Sequence, residues 1–225
     1  MTGSISKIDG PRVLPRGGSK PDRLVVLAHG YGADGNDLIG LAPHWQQFLP
    51  TAAFVAPNAP QRCEMSPMGY QWFPITKLDP KAMLAGVESA AAGFAGFIDE
   101  ELARYGLGAD RLALVGFSQG TMMSLHVGLR RAVSPACIVG YSGVLAGPEV
   151  LKAQMTAKPP VLLVHGDADQ MIPVQALYAS ANALGEAGIA VRWHVSRGVG
   201  HSIDPEGLTL GGHFLASGFA GELAG

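Results

Sequence analysis

Gly116-Phe117-Ser118-Gln119-Gly120 places a serine between two glycines, directly after the short apolar run Leu112 to Val115. A run that short, with no polar face, suits a strand buried on both sides. The stretch Thr121 to Val133 after it reads as a helix, closed by Ser134-Pro135. Gly-x-Ser-x-Gly between a buried strand and a helix is the setting of a nucleophile elbow. Gly116 and Gly120 remove side chains that would collide in so sharp a turn. Ser118 then stands at a helix N-terminus, where the dipole and free N–H groups favour developing negative charge.

A serine is a weak nucleophile until a base takes its proton and a third group orients that base. Loops after the carboxyl ends of strands gather at one edge of a parallel sheet, so partners are expected just after strands. The chain has seven histidines. His126 lies inside a helical stretch, as do His44 and His213, and His194 lies on the polar parity of a strand. His29 and His165 end strands and are expected to brace tight turns. His201, in the glycine-rich loop Arg197 to Ser202 after the last strand, is the expected base. The orienting acid should lie between Ser118 and His201 in chain order. Asp167 and Asp169 both follow the strand Val161 to Val164, and residue type does not separate them. Asp204 is too near His201 in sequence to be an easy choice.

A tetrahedral oxyanion needs N–H donors. One is expected at Gln119, the residue after the nucleophile, and another at Tyr31 in the first glycine-rich loop. That loop, His29 to Asp37, has three glycines in nine residues. It lacks the Lys-Ser/Thr ending of a phosphate loop and the dinucleotide fingerprint. The longest irregular stretch, Pro57 to Pro74, holds Tyr70, Trp72 and Phe73. Long loops in compact domains are usually functional. Within it Met65, Met68 and Trp72 are expected to contact an acyl chain, because Met is adaptable and aromatics bring large apolar area.

The elements that must hold these residues alternate. Strands are expected at Leu24 to Ala28, Ala52 to Ala56, Leu112 to Val115, Cys137 to Tyr141, Val161 to Val164 and Ile189 to Val195. An edge hairpin is expected over residues 5–14, turning at Asp9-Gly10-Pro11. Helices are expected from an Asn36 or Asp37 cap to about Phe48, and from the Asp79 cap and Pro80 to Gly106. Two more are expected over Pro173 to Ala187 and Pro205 to Phe219. In the long central helix Met83, Val87, Phe94, Phe97, Ile98 and Leu102 recur at helical spacing, so one face is buried. Alternation of this kind implies a mainly parallel sheet with helices on both faces. With 225 residues and no linker or repeat, the chain reads as one α/β domain.

Composition narrows the function classes. A hydrophobic content of 48% excludes a disordered chain, and a net charge of −2 without a basic stripe argues against nucleic acid. Met1 to Gly10 has no apolar run, and no secretory signal or spanning helix is expected. Cys63 and Cys137 cannot form a disulfide framework and lack zinc-site spacing. Free thiols suit a reducing, cytoplasmic compartment. Neither a metal nor an organic cofactor is required by these residues, and a homodimer is compatible with them.

Taken together, the motifs resemble the phospholipase/carboxylesterase family of the α/β-hydrolase fold, the group that includes acyl-protein thioesterases. The resemblance is carried by the loop His29 to Gly35, by Ala56-Pro57-Asn58-Ala59-Pro60 and by Gly116 to Gly120. It continues through His165-Gly166-Asp167-Ala168-Asp169 with Ile172-Pro173, and Gly200-His201-Ser202. It implies Ser118, Asp169 and His201 as a catalytic triad, with Tyr31 and Gln119 as oxyanion donors. Gln170 stands where the family often has proline, Thr121 where it often has glycine, and Tyr31 where it often has leucine. The expected activity is hydrolysis of a small-molecule carboxylic ester, thioester or lysophospholipid through an acyl-enzyme. A non-catalytic binding module and an acyltransferase on the same fold are the alternatives.

Overall fold

Residues 7–75 and 79–223 are described by a computed structural model of the chain. The strands in chain order are β1 (Arg12–Val13), β2 (Arg23–Ala28), β3 (Ala52–Val55), β4 (Gln61–Arg62), β5 (Tyr70–Gln71), β6 (Leu112–Phe117), β7 (Cys137–Tyr141), β8 (Val161–Gly166) and β9 (Val191–Ser196). The helices are α1 (Gly35–Ile39), α2 (Ala42–Trp45), α3 (Pro80–Tyr105), α4 (Gln119–Gly128), α5 (Pro148–Gln154), α6 (Gln175–Glu186) and α7 (Pro205–Ala220). The main sheet runs β1-β3-β2-β6-β7-β8-β9. All neighbours in it are parallel except β1, which is antiparallel to β3.

Parity along each strand divides the core in two. Leu24, Val26, Leu112 and Leu114 face one side, where Phe94 of α3, Met122 and Met123 of α4 and Leu177 of α6 cover them. Val25, Leu27, Ala113 and Val115 face the other, against Trp45 of α2 and Phe214 and Leu215 of α7. Both faces are apolar because both are covered, which is why these strands read as unbroken apolar runs. Among the described residues β9 has no strand on its outer side, and it is partly exposed along its length. The chain leaves β2 toward β3 and returns to the other side of β2 as β6. That reversal opens a crevice at the carboxyl ends of β2 and β6, the place where open α/β sheets bind ligands.

Several sequence expectations change here. Residues 5 and 6 of the expected hairpin lie outside the described residues. Asp9-Gly10-Pro11 does not turn back on itself. It runs extended beside β3, with Ala56 N–H donating to Pro11 O at 3.1 Å and Asn58 N–H to Asp9 O at 2.9 Å. The side chain of Arg12 then forks onto Glu101, with Nε and Nη2 at 2.8 and 2.7 Å from its two oxygens. Glu101 is buried and also accepts from Arg104 Nε at 2.9 Å. Arg12→Met should therefore strand a buried carboxylate that keeps only one exposed partner. A loss of about 3 kcal/mol is expected, the low end for breaking a buried pair because Arg104 remains, read by urea unfolding at pH 7. A loss within 0.5 kcal/mol, roughly what surface substitutions cost, would show that Arg104 alone suffices.

The helix expected from Asn36 to Phe48 is two short ones. Asp34 is the cap, its carboxylate accepting from Asn36 N–H and Asp37 N–H. Pro43 lacks the N–H that would continue the ladder, so α2 restarts after Gly40-Leu41 with the proline in its first turn. α4 stops at Gly128 rather than Val133. The carbonyl of Leu129 is taken by Thr156 N–H at 2.9 Å and Ala157 N–H at 3.1 Å, contacts that local sequence does not announce. The long stretch Pro57 to Pro74 is not wholly irregular, since β4 and β5 pair antiparallel within it. α3 begins at its Asp79 cap as expected and ends at left-handed Gly106. By length and composition alone α3 could cross a membrane. In this fold its Val87, Phe94, Ile98 and Leu102 face the core.

Candidate active site

The end of β6 holds Ser118 at φ 54° and ψ −116°, a positive-φ conformation rare for a residue with a side chain. Its neighbours make that turn feasible. A side chain on Gly116 would strike the backbone of Gly120 and Thr121, and one on Gly120 would fall on the carbonyl of Ala28. Ser118 N–H donates to Tyr141 O at 2.9 Å, which ties the elbow to the next strand. Thr121, in place of glycine, fits because Gly140 and Gly143 leave room for its side chain. Its hydroxyl lies 2.8 Å from Gly116 O and 2.9 Å from Tyr141 O, so it binds the two strand ends rather than the solvent.

Asp169 and His201 meet from different loops. His201 Nδ1 lies 2.7 Å from Asp169 Oδ2. The carboxylate's other oxygen accepts Met171 N–H at 2.8 Å and Ile172 N–H at 2.9 Å. Burial pushes the Asp169 carboxyl up, but the hydrogen bonds from Ile172, His201 and Met171 outweigh it and hold the group below its ordinary value. It is therefore an anion at neutral pH and can only accept. His201 must carry its proton on Nδ1, which leaves Nε2 with a lone pair. His165 approaches the same oxygen, its Nε2 3.2 Å from Asp169 Oδ2 and 2.8 Å from Ile172 O. Both of those partners are acceptors, so Nε2 is the protonated nitrogen of His165.

Asp167, the other candidate acid, is exposed and accepts Gly198 N–H at 2.6 Å. It braces the turn of the His201 loop and does not touch the imidazole. Asp204 caps α7 and accepts from Ser196 Oγ at 2.7 Å. The ring of Phe117 packs 4.9 Å from that of His201, a contact that the variable position of the Gly-x-Ser motif gave no reason to expect.

The two loops expected to supply oxyanion donors are both present at the crevice. The N–H of Tyr31 has no acceptor among the described residues. Gln119 is the first residue of α4, so its N–H has no intrahelical acceptor. The carboxamide of Gln119 is engaged away from the cavity. Its oxygen accepts Trp72 N–H at 2.9 Å and its nitrogen donates to Phe73 O at 2.8 Å. His29 has a fixed, neutral form. Its Nδ1 donates to Gly30 O at 2.7 Å while Nε2 accepts Ala59 N–H at 2.9 Å. Burial lowers its pKa, consistent with a ring that stays uncharged.

Ser118, His201 and Tyr31 line one cavity of about 310 Å³, with His29, Met65 and Phe117. Ile75, Leu38, Met122 and Met171 complete its apolar wall. Of the three residues expected on the acyl wall, only Met65 lies there. Met68 does not line the cavity; Met65 does, although it is 82% exposed. Trp72 is fully buried, edge-on to Phe94 at 4.7 Å, with its indole N–H 3.0 Å from His29 O. Its large ring joins the core cluster that also holds Phe73 and Phe94, directly after the short strand β5. Met171 and Ile172 also line the cavity, a role that their residue types in a loop after β8 do not announce. Their adjacency to the acid was the usable signal.

Comparison with known proteins gives the family and the fold. Residues 11–217 match the family described as phospholipase/carboxylesterase. An acyl-protein thioesterase 1 of Gibberella zeae is 30% identical over 215 residues, covering 88% of this chain and 91% of that protein. The crystal structure of esterase PE8 superposes with a TM-score of 0.89 at 43% identity, covering 93% of this chain and 98% of that one. That of Zea mays acyl-protein thioesterase 2 has a TM-score of 0.74 at 24% identity, which speaks for the fold alone. It covers 93% of this chain and 99% of the other. The chain belongs to the phospholipase/carboxylesterase family and carries its α/β-hydrolase fold.

Proposed function

We propose that this protein hydrolyses carboxylic esters and thioesters with Ser118 as nucleophile, His201 as general base and acid, and Asp169 as the group that orients it. One observation carries the reading: a positive-φ serine and a histidine held by a buried carboxylate open into the same cavity. In the first half-reaction His201 Nε2 takes the Ser118 hydroxyl proton as Oγ attacks the acyl carbonyl. The resulting oxyanion is met by the N–H groups of Tyr31 and Gln119, donors aimed at the charge as it develops. Collapse breaks the bond to the leaving group, which departs with the proton from His201. Water then attacks the acyl-enzyme, giving its proton to His201. Release of the acid returns that proton to Ser118. Asp169 stays ionised throughout and stabilises the imidazolium.

The cavity is at the small end of the range for small-molecule sites, which favours short and medium acyl chains. The free, buried thiols of Cys63 and Cys137 support a reducing, cytoplasmic setting. A p-nitrophenyl ester series from acetate to dodecanoate, run beside a lysophospholipid and a palmitoyl-cysteine peptide, tests the reading. Products are analysed with and without added alcohol. Hydrolysis that peaks at short or medium esters is expected. Turnover confined to the peptide would narrow the reading to a thioesterase, and an ester product that dominates with alcohol would replace it with an acyltransferase.

A narrower prediction concerns the wall. Met65→Ala and Met171→Ala remove apolar surface from the cavity, at about 0.8 kcal/mol per methylene no longer buried. Each should lower kcat/KM for octanoate relative to acetate by about three- to ten-fold, while Met68→Ala leaves the ratio alone. An equal effect from Met68→Ala would mean that the acyl chain leaves the cavity across the outer hairpin.

A further inference from the structure

Trp72 hydrogen-bonds to both loops that carry the expected oxyanion donors and does not line their cavity. Its indole N–H donates to His29 O at 3.0 Å, and its backbone N–H donates to Gln119 Oε1 at 2.9 Å. Phe73 O closes the second contact by accepting from Gln119 Nε2 at 2.8 Å, so the carboxamide pairs with this backbone as a neighbouring strand would. On the other arm His29 Nδ1 donates to Gly30 O at 2.7 Å. That carbonyl belongs to the same planar peptide as the Tyr31 N–H, so holding the oxygen aims the N–H in the opposite direction. The indole holds the preceding carbonyl, and Ala59 N–H holds the far side of the His29 ring at 2.9 Å. The two donors come from loops 88 residues apart in sequence, after β2 and after β6. Thr121 and Met122 N–H already fix the Ser118–Gln119 peptide through Ser118 O at 3.0 and 3.3 Å, so the Trp72 contacts add the placement of the His29–Tyr31 loop against the start of α4.

We infer that Trp72 is a positioning residue that ties the Tyr31 and Gln119 N–H groups into one oxyanion hole. The inference rests on the serine-hydrolase reading above. Trp72 acts through His29 and the Gln119 side chain and touches no reacting atom. It bears on the transition state more than on the ground state, because the oxyanion forms only as the tetrahedral centre does. Loosening the tie should thus lower kcat and leave KM nearly unchanged, equally for short and medium esters. A wall residue would do the reverse.

The test compares wild type, Trp72→Phe, Gln119→Met and Leu24→Val with p-nitrophenyl acetate and octanoate. Leu24 lies in the core at the far end of β2 and serves as the stability control. Fluorophosphonate titration counts active sites, so kcat is expressed per competent serine. Binding of an aryl trifluoromethyl ketone, which forms a tetrahedral oxyanion adduct, is measured alongside. Trp72→Phe deletes the indole donor, and Gln119→Met deletes the carboxamide but keeps the backbone N–H. Each should lower kcat per site by about 10- to 100-fold, the scale of misplaced catalytic groups, with matching loss of ketone affinity on both esters. Leu24→Val should lower the melting temperature without either change. If Trp72→Phe does not fold, Gln119→Met decides alone. Unchanged kcat per site in the folded variants, or a chain-length shift without loss of ketone affinity, overturns the tie while leaving the hydrolase reading intact. Wild type that neither turns over ester nor titrates with the phosphonate overturns both.

Discussion

Ser118→Ala should reduce ester hydrolysis by about 10⁶-fold in kcat, to the residual rate given by binding and the oxyanion donors. The fold should survive, because among the described residues the side-chain oxygen makes no cap hydrogen bond that supports the elbow. The turn is held instead by Ser118 N–H to Tyr141 O and by the close approach of Gly120 to Ala28. Alanine at φ 54° carries the same backbone strain as serine, so the melting temperature should move by only a few degrees. Steady-state kinetics and thermal melting on the same preparation check both halves. Hydrolysis retained within ten-fold of wild type would mean that another group forms the acyl bond or that water attacks directly.

Asp169→Asn should lower kcat by about 10⁴-fold, the effect of leaving a catalytic imidazole in the wrong tautomer. The carboxylate accepts the His201 Nδ1 proton at 2.7 Å, and an amide nitrogen there would instead favour a proton on Nε2. The same substitution alters stability with a definite sign. The folded carboxyl is held below its unfolded value, so it stabilises the protein above the unfolded pKa of about 3.9. That contribution disappears as pH falls through the lower folded value. Melting temperatures at pH 7 and pH 3 should therefore differ less in Asp169→Asn than in wild type. Asp167→Asn should keep near-normal kcat and lose no more than about 1 kcal/mol, since asparagine can still accept Gly198 N–H. A reversal of the two phenotypes would move the acid to Asp167.

These contrasts show where local sequence is informative. The apolar runs at Leu24, Leu112, Cys137 and Val161 announce strands because both of their faces are covered, so no alternation obscures them. Ser118 and His201 stand out because tight, glycine-rich turns after strands leave few other roles for them. The choice between Asp167 and Asp169 is different. Both end the same turn two residues apart, and only the path of the Arg197 to Ser202 loop decides which faces the imidazole and which takes Gly198 N–H. Trp72 was equally illegible as a support. A large aromatic in a long loop suits a pocket wall, and its role depends on two partners, His29 and Gln119, that lie far away in sequence. The break between α1 and α2 was readable in Pro43, whereas the early end of α4 depends on a tertiary claim to the Leu129 carbonyl.

The most direct measurement of the central claim is peptide mapping after reaction with a fluorophosphonate. The reagent loses fluoride to an activated oxygen nucleophile and leaves a stable phosphonyl ester. Wild type should take up one equivalent on the peptide that contains Ser118, with ester hydrolysis lost in proportion, and His201→Ala should react far more slowly. An enzyme that hydrolyses esters yet carries the adduct on another residue, or remains active with Ser118 fully modified, would contradict the account.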